Sequence, residues 1–294
     1  MLNKKLDTLK KEWYSKKITH YTFWKALYNL ARLEVRQMKT IGIRLTIISL
    51  SVIVIGLMFV GLSLGEIDEE AIMGMWLFDD GKGDTAKDSS LNGNDGTLMN
   101  APKWGSGKFG KAVEFDGKDD YVEVPNTFSL TDVSFSITAW VNVMAVKDDM
   151  GVVNRGDQTA DTNIHLHCNI RSMKPHFGFY GNDLGGVTTL SAGKWYFISW
   201  VYDKPKNVRQ IYVNGVVDSQ DKPPSAYKAD HPLWIGIYYD LARVFSGLID
   251  EVAIFNVALT EADIKTIMTK GLEGLSAVSP SGKLTKIWGD IKQQ

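Results

Sequence analysis

Residues 76–96 read WLFDDGKGDTAKDSSLNGNDG, and residues 103–125 read KWGSGKFGKAVEFDGKDDYVEVP. In the second stretch, Lys111–Phe115 and Tyr121–Val124 flank Asp116-Gly117-Lys118-Asp119, a run of residues that tolerate positive φ. Apolar runs on both sides of such a turn predict two strands joined by a tight connection.

Other segments follow the same strand-and-turn pattern. Val133–Val143 and Trp195–Tyr202 alternate in part between apolar and polar residues, which is typical of strands with one buried face. Val213-Asn214-Gly215-Val216 predicts a two-residue hairpin, because Asn-Gly accepts the positive φ that a type I′ turn needs. Many short antiparallel strands without βαβ spacing predict an all-β, two-sheet sandwich.

Four motifs in order resemble the LamG-like (laminin G type) jelly-roll domain of the concanavalin A-like lectin/glucanase superfamily. Downstream of residues 76–125, the motifs are FSITAWVN (Phe135–Asn142), the pair KWYFISWVYD and QIYVNGVV (Lys194–Asp203 and Gln210–Val217), and FSGLIDEVAIFNVALTEADI (Phe245–Ile264). The fixed points of the first motif are Trp76, Phe78, Asp88, Asn94, Gly96, Gly110, Phe115, Asp116, Gly117, Asp120, Tyr121 and Val122. The resemblance covers residues 74–270 and implies an antiparallel jelly roll, with Phe135–Asn142 as a central strand.

The resemblance implies binding more than catalysis, because this fold is mostly a binding and adhesion scaffold. We expect non-catalytic recognition of carbohydrate or of a cell-surface protein. The alternatives are a purely structural, protein-docking domain of the cell envelope and a glycoside hydrolase of the same superfamily. Glucanases of the superfamily carry their carboxylates as E-x-D-x-x-E, and this string does not occur in the sequence, nor does G-x-S-x-G, a P-loop or a dinucleotide fingerprint. We therefore expect no enzyme activity.

Composition agrees with a folded domain that has no disulfide framework. The chain has 294 residues, of which 44% are apolar and 23% charged, and a single cysteine, Cys168. Charge is divided unevenly: residues 1–44 hold eleven Lys or Arg and three Asp or Glu, whereas the remainder holds 22 basic and 31 acidic residues. A basic head on an acidic body suggests two environments.

Leu45–Leu64 reads LTIISLSVIVIGLMFVGLSL, twenty residues without a charge. This length spans a hydrocarbon core of about 30 Å as a helix, so we expect a single transmembrane helix. Basic residues precede the segment and acidic residues follow it, which places the N-terminus in the cytoplasm and the sandwich outside. The alternative is a cleaved signal peptide, with Met38 as the true start, cleavage after Ser63-Leu64-Gly65 and a secreted domain.

The basic head has apolar residues at helical spacing, with an interruption near Lys17–Thr22. One interpretation is an amphipathic helix on the cytoplasmic leaflet, with Trp13, Tyr14, Trp24 and Tyr28 at headgroup level. The other is a topogenic tail with no partner. No motif supports nucleic-acid binding. The expected organisation is a head at 1–40, a transmembrane helix at 41–64, a linker at 65–74, the jelly roll at 75–271 and a tail at 272–294.

Related sandwiches hold a structural Ca²⁺ where the first strand, an early glycine-containing turn and the last strand meet. The resemblance therefore implies calcium as a cofactor, with ligands from Asp79 (or Asp80), Asp116, Gly117 and Asp250, and with contributions from Asp88 and Asn94. Hard cations require several oxygen ligands of this kind. The alternative is that Asp88, Asp116 and Asp120 cap their own turns. A zinc site is not expected, because His165-x-His167-Cys168 would put its ligands on alternate faces of a strand, with Cys168 opposite His167, and Cys168 is the only cysteine of the sequence.

Ligand-binding residues are not fixed by the sequence. Trp76, Trp140, Trp195 and Trp200 lie within strand motifs, where we expect them between the sheets, whereas Trp234 does not. Ligand contacts are more plausible from loop residues such as His165, His167, His176, Phe179 and Tyr239. After the last strand, Thr260 is predicted to cap a helix that ends at Gly271.

Overall fold

The computed structural model describes residues 10–11, 20–37, 67–125, 128–156, 165–179, 181–228, 231–238 and 240–276. The chain divides into two compact units, Met1–Leu64 and Gly65–Gln294. In the first unit, α1 (His20–Gln37) is a helix of 18 residues, which confirms helical structure in the basic head. Its Trp24 and Leu27 are half-buried and its Tyr28 is exposed.

None of the helices in the described ranges has the length and apolarity needed to cross a membrane. The predicted span Leu45–Leu64 lies outside those ranges, as do most of the first 19 residues, Tyr239 and the tail beyond residue 276. The transmembrane helix therefore stays a prediction.

The second unit is a two-layer antiparallel sandwich, as the sequence predicts. In the described residues, the first sheet has eight strands, with β1 paired to β16 off the main path. Its order is β14 (Val216–Asp221), β13 (Val208–Val213), β12 (Trp195–Asp203), β7 (Phe135–Val143), β16 (Ser246–Phe255), β5 (Lys111–Asp116) and β4 (Lys103–Ser106), with β1 at Ile72–Trp76. β7 lies in the middle of this sheet, which confirms its expected central place.

The second sheet also has eight strands within the described ranges. Its order is β11 (Asp183–Gly185), β10 (Lys174–Gly178), β9 (Leu166–Arg171), β8 (Asp149–Arg155), β15 (Leu233–Ile235), β6 (Tyr121–Val124), β3 (Gly96–Met99) and β2 (Thr85–Ala86). The turn 116–120 thus carries the chain from β5 in the first sheet to β6 in the second.

The main core fills the space between the two sheets. On β7, Phe135, Ile137, Ala139, Val141 and Val143 point into it. Trp76 and Trp200, both fully buried, also lie there, as predicted. Two further tryptophans differ from the prediction, because Trp140 and the half-buried Trp195 belong to an apolar cluster on the outer face of the first sheet.

A C-terminal helix covers part of this outer face. In α2 (Glu261–Lys270), Ile264 and Ile267 are fully buried against the outer cluster. The predicted cap is present: the Thr260 hydroxyl accepts the N–H of Asp263 at 3.2 Å, and the Asp263 carboxylate accepts the N–H of Thr260 at 2.9 Å. Gly271, at φ +72°, follows the helix, and α3 (Glu273–Ser276) comes next.

The first sheet has two local irregularities, a bulge in β16 and a tight turn between β13 and β14. A bulge in β16 between Asp250 and Ala253 shifts its register against β7, and Glu251 there has φ +52°. Bulges re-aim side chains. The hairpin between β13 and β14 turns at Asn214 and Gly215, with φ of +50° and +76°, which confirms the positive-φ turn predicted from Asn-Gly.

Candidate ligand-binding cleft

A cleft of about 670 Å³ opens on the outer face of the first sheet. Three neighbouring elements frame it: the turn between β4 and β5, the hairpin turn between β13 and β14, and the C-terminal end of α2. Its lining residues are Lys108, Phe109, Trp140, Trp195, Asn214, Met268 and Thr269.

The β4–β5 turn is held in place by Asp250. The carboxylate oxygen Oδ2 of Asp250 accepts the backbone N–H of Lys108 at 2.7 Å and that of Phe109 at 3.0 Å. Gly107 permits this approach, since a Cβ at that position would lie 2.6 Å from the same oxygen. The bulge residue of β16 therefore fixes the backbone from which two lining side chains project.

Asp79 fixes the other end of the same turn. Its Oδ1 accepts the backbone N–H of Lys111 at 2.6 Å. Gly110 has φ +49°, and a Cβ there would clash with the Asp79 carboxylate. Glycine is required at this point by conformation and by space alike. The two aspartates predicted as metal ligands thus meet on opposite ends of one turn, where they accept backbone N–H groups.

Aromatic rings form the floor of the cleft. The rings of Phe109 and Trp140 meet edge to face at 6.4 Å, and the rings of Trp140 and Phe197 lie 5.3 Å apart. Only 5% of Trp140 is exposed, and its buried indole N–H has no hydrogen-bond partner among the residues that the structure describes. A buried donor without a partner is costly and uncommon. Trp195 is half-buried and so presents part of its ring to the cleft.

Polar groups stand at the rim. Asn214 is exposed, and its side-chain oxygen accepts the backbone N–H of Phe197 at 3.0 Å, which leaves its NH₂ group as a donor. The ammonium nitrogen of Lys108 lies 4.6 Å from the centre of the Trp140 ring, in cation–π contact. Rings for stacking beside a few directed donors are the combination that orients small polar ligands.

Two adjacent carboxyl groups lie behind the cleft. Burial raises the pKa of Asp250 to about 7, against the lowering effect of the N–H of Phe109. Burial likewise raises the pKa of Glu251 to about 7, although its carboxylate accepts the N–H of Leu272. Each side chain thus anchors backbone, Asp250 that of the β4–β5 turn and Glu251 that of the segment after α2.

The other predicted calcium ligands lie elsewhere. Asp116 is the last residue of β5 and Gly117 follows it, and five residues of strand at about 3.3 Å each put Asp116 roughly 16 Å from Lys111. The predicted set of Asp79, Asp116, Gly117 and Asp250 therefore does not share one site. At that far end, carboxylate oxygens of Asp116, Asp119 and Asp120 lie within 4.8 Å of one another.

Asp88 and Asn94 organise the loop after β1. The Asp88 carboxylate accepts the N–H groups of Met75, Ser90 and Asn94 at 2.7–2.9 Å and the Ser90 hydroxyl at 2.8 Å. The Asn94 amide donates to Met73 O at 2.7 Å, and its backbone carbonyl accepts the indole N–H of Trp76 at 3.0 Å. The Asp88 carboxylate therefore accepts four hydrogen bonds from the protein itself, as expected if Asp88 caps its own turn and does not bind a cation.

The outer face of the second sheet holds a different polar cluster. Alternation along β9 puts His167, Asn169 and Arg171 there, since Leu166, Cys168 and Ile170 face the core. Arg171 donates to the Asp149 carboxylate at 2.9 Å and to Nε2 of His176 at 3.0 Å. Burial and Arg171 lower the pKa of His176 to about 3, so this imidazole is neutral.

This polar cluster is less accessible than the cleft. His165, His167, Asn169 and His176 are at most 5% exposed, and neither amide atom of Asn169 has a hydrogen-bond partner within the described ranges. The backbone of Ile237 lies directly over Gly151 on β8, so the loop after β15 covers this face. Of the loop residues expected to reach a ligand, Phe179 lies in the core and the histidines are buried.

The cleft residues themselves were not predicted as ligand contacts. Trp140 and Trp195 were assigned to the core, and Lys108, Asn214 and Met268 were not singled out as ligand contacts. These residues come from the β4–β5 turn, β7, β12, the β13–β14 turn and α2, and no local motif joins them. The available signals were Asn-Gly at residues 214–215 and the glycines that flank Lys108-Phe109.

Solved structures share this fold at low sequence identity. Domain 4 of AbnA, a GH43 extracellular arabinanase from Geobacillus stearothermophilus solved with arabinotriose, is 19% identical at a TM-score of 0.56, over 67% of this chain and 98% of that one. The binding domain of Paraclostridial Mosquitocidal Protein 1 is 14% identical at 0.54, and this chain spans 52% of its length. A Trypanosoma rangeli sialidase is 14% identical at 0.52, over 68% of this chain and 32% of that one.

No curated protein matches the sequence. Residues 116–265, more than half of the chain, match the family described as the concanavalin A-like lectin/glucanases superfamily. The match spans β6 to the first half of α2 and agrees with the two-sheet architecture. The chain therefore belongs to the concanavalin A-like lectin/glucanases superfamily.

Proposed function

We propose that the sandwich is a non-catalytic module that recognises carbohydrate through the aromatic cleft. The observation that carries the proposal is the floor of Trp140, Trp195 and Phe109 beside the donors of Asn214 and Lys108. Sugar rings present apolar C–H faces that pack on aromatic rings and hydroxyl edges that accept directed hydrogen bonds. AbnA domain 4, which shares the fold, was solved with arabinotriose.

A non-catalytic role is supported by the roles of the nearest carboxyl groups. Hydrolysis of a glycosidic bond uses two carboxyl groups that flank the substrate. Asp250 and Glu251 are instead 0% and 2% exposed, and each accepts backbone N–H groups that hold the walls of the cleft. The lining residues in the described part of the chain are Lys108, Phe109, Trp140, Trp195, Asn214, Met268 and Thr269, none of which is a carboxylate.

The experiment is a glycan array probed with the full-length chain in non-ionic detergent. Trp195→Ala should weaken binding of the oligosaccharides that score by at least about tenfold, because a buried aromatic contact carries much of the energy of such sites. Trp234→Ala is the matched control, since Trp234 is also a half-buried strand tryptophan but lies in β15 of the second sheet. Equal binding by the wild type and Trp195→Ala would refute the role of the cleft.

We further propose that Leu45–Leu64 anchors the chain in a membrane with the sandwich outside the cytoplasm. The support is the uncharged twenty-residue segment and the charge asymmetry around it. A glycan-recognising domain in that place would meet cell-surface or extracellular polysaccharide.

Calcium binding is a separate proposal, now directed to Asp116, Asp119 and Asp120. Their clustered oxygens are the hard ligands that Ca²⁺ prefers. Lys118 competes for the same place, since its ammonium lies 3.1 Å from Asp116 and helps to lower the pKa of that carboxyl. Melting in EDTA and in millimolar CaCl₂ tests the proposal: a rise that Asp119→Asn abolishes supports the site, and an unchanged midpoint contradicts it.

A further inference from the structure

We propose that the cleft selects carboxylate-bearing sugars, such as uronates and sialates, and that Lys108 is the residue that determines this specificity. The inference rests on the proposed function of the cleft and adds the chemical class of the ligand. It begins from the charges at the cleft. Among the described residues that line it, Lys108 is the one with a charge, and its side chain is exposed.

The ammonium group of Lys108 is held at the cleft floor and not by an acid. Its nitrogen lies 4.6 Å from the centre of the Trp140 ring. Within the described part of the chain, no carboxylate oxygen lies within 4.0 Å of it. A lysine whose charge faces an aromatic ring keeps its hydrogen-bond donors for a ligand.

The backbone of Lys108 is fixed by hydrogen bonds to Asp250. Its N–H donates to Asp250 at 2.7 Å, and the next N–H donates to the same oxygen. The Asp250 carboxylate thus binds the backbone of this turn. The arrangement reduces the entropy that the lysine would lose on binding an anion, because its main chain is already fixed.

Further positive charge surrounds the rim. Exposed Lys194 precedes Trp195, and exposed Lys270 follows Thr269, so both adjoin lining residues. Lys265 of α2 contacts the hairpin turn at Gly215 and pairs with Glu261. The nearest buried carboxyls, Asp250 and Glu251, carry less than a full charge near neutral pH. Lys108, Lys194 and Lys270 therefore place positive charge at the rim of the cleft.

The aromatic rings and Asn214 would contact the sugar itself, and Lys108 would contact its carboxylate. The rings of Trp195 and Phe109 offer apolar faces for a pyranose ring, and Asn214 offers a donor for a hydroxyl. Lys108 then supplies the charge-assisted bond that only a carboxylate completes. A neutral sugar of the same shape would keep the stacking and lose this bond.

The test is an array of uronate and sialate oligosaccharides, each printed beside its carboxyl-reduced neutral counterpart and probed with the full-length chain. The acidic member of a pair should bind about tenfold more tightly, and the difference should shrink as salt rises from about 50 to 500 mM. Lys108→Met should remove the difference, so that the acidic and the neutral member of each pair bind this variant equally. Lys108→Arg should retain most of the difference.

Three controls separate this inference from the proposed function. Lys206→Met removes an exposed lysine at the opposite end of β12, where Lys206 pairs with Asp203, and should change nothing. Trp195→Ala should weaken acidic and neutral sugars alike. An oligoglutamate peptide supplies negative charge without a sugar ring and should bind weakly.

The outcomes distinguish the two claims. The acidic preference is overturned if acidic and reduced sugars bind equally, Lys108→Met does not change binding and Trp195→Ala weakens it. The cleft would then still be the binding site. Binding that survives Trp195→Ala, or an absence of binding to every sugar, overturns both. Oligoglutamate binding as tight as that of the uronates, or a loss with Lys206→Met equal to that with Lys108→Met, shows unspecific attraction and also overturns the preference.

Discussion

At the scale of single residues, the carboxylates behind the cleft are its most informative feature. Asp79 and Asp250 could be singled out from the sequence because the resemblance implies them as calcium ligands, and the structure brings both to the β4–β5 turn. Their partners could not be predicted, since a carboxylate serves a cation or a backbone N–H equally well and only the fold decides which is near. Asp116 illustrates the limit, because one strand length separates it from the other two.

Asp250→Asn tests the anchoring role through its pH dependence. The folded-state pKa of Asp250 is about 7 and its ordinary value is 3.8, so the folded state holds the proton more tightly. Ionisation therefore costs stability as pH rises from about 4 through 7, by about 1.4 kcal/mol for each unit of effective shift. Asparagine can still accept both N–H bonds but cannot ionise. Its midpoint relative to wild type should therefore rise by several degrees between pH 5 and pH 8.

The comparison must be made between variants, because other groups act in the same window. Burial and Arg171 depress the pKa of His176 to about 3, so its contribution is lost as pH falls below its ordinary value of 6.5. The stability contributed by His176 therefore rises with pH, whereas that contributed by Asp250 falls with pH. The two effects partly cancel in the pH dependence of the wild-type melting midpoint. A difference between Asp250→Asn and wild type that stays constant from pH 5 to pH 8 would show that Asp250 is ionised throughout.

At the scale of elements, features with local signals were predicted and features with distant partners were not. Thr260 and Asp263 form the cap of α2, and Asn214-Gly215 forms the β13–β14 turn. Each is a local signal, so both features can be predicted from the sequence. The face of Trp140 was assigned wrongly for a physical reason. All nine residues of β7 are buried, and a strand buried on both faces gives no alternation to tell core from outer face.

Thr260→Ala tests whether α2 supports the cleft. Loss of the capping box should destabilise the domain by about 1 kcal/mol, or roughly 2–4 °C in the midpoint. Because Met268 and Thr269 line the cleft from the last turn of α2, sugar affinity should also fall, though less than for Trp195→Ala. Thr266→Ala is the control, since it replaces a half-buried threonine in the same helix, whose hydroxyl donates to Ala262 O, and leaves the cap. Equal losses in both variants would contradict the assignment.

At the scale of the whole molecule, the class of fold could be predicted from the sequence and the ligand could not. The sandwich class followed from the order of strands and turns, and the family match agrees with it. The ligand did not follow, because the lining of the cleft is gathered from residues 108 to 269 by the folding of two sheets and a helix. The fold sets where such residues meet, and function depends on which residues they are.

Membrane anchoring is tested on the whole chain in cells. The proposed anchor predicts that the chain stays in the membrane fraction after carbonate extraction and that externally added protease degrades the sandwich on spheroplasts. Replacing four apolar residues of Leu45–Leu64 by lysine should release the chain into the soluble fraction, because each charge at the bilayer centre costs about 2.5–3.5 kcal/mol. Extraction of the wild-type chain by carbonate would contradict the anchor.

The most direct measurement is hydrogen–deuterium exchange of the full-length chain with and without a bound oligosaccharide from the array. Binding in the cleft predicts slower exchange in the β4–β5 turn at residues 106–111, around residues 195 and 214, and at residues 266–270 at the end of α2. Slower exchange confined to β8–β11, residues 149–185, would place the ligand on the second sheet and contradict the account.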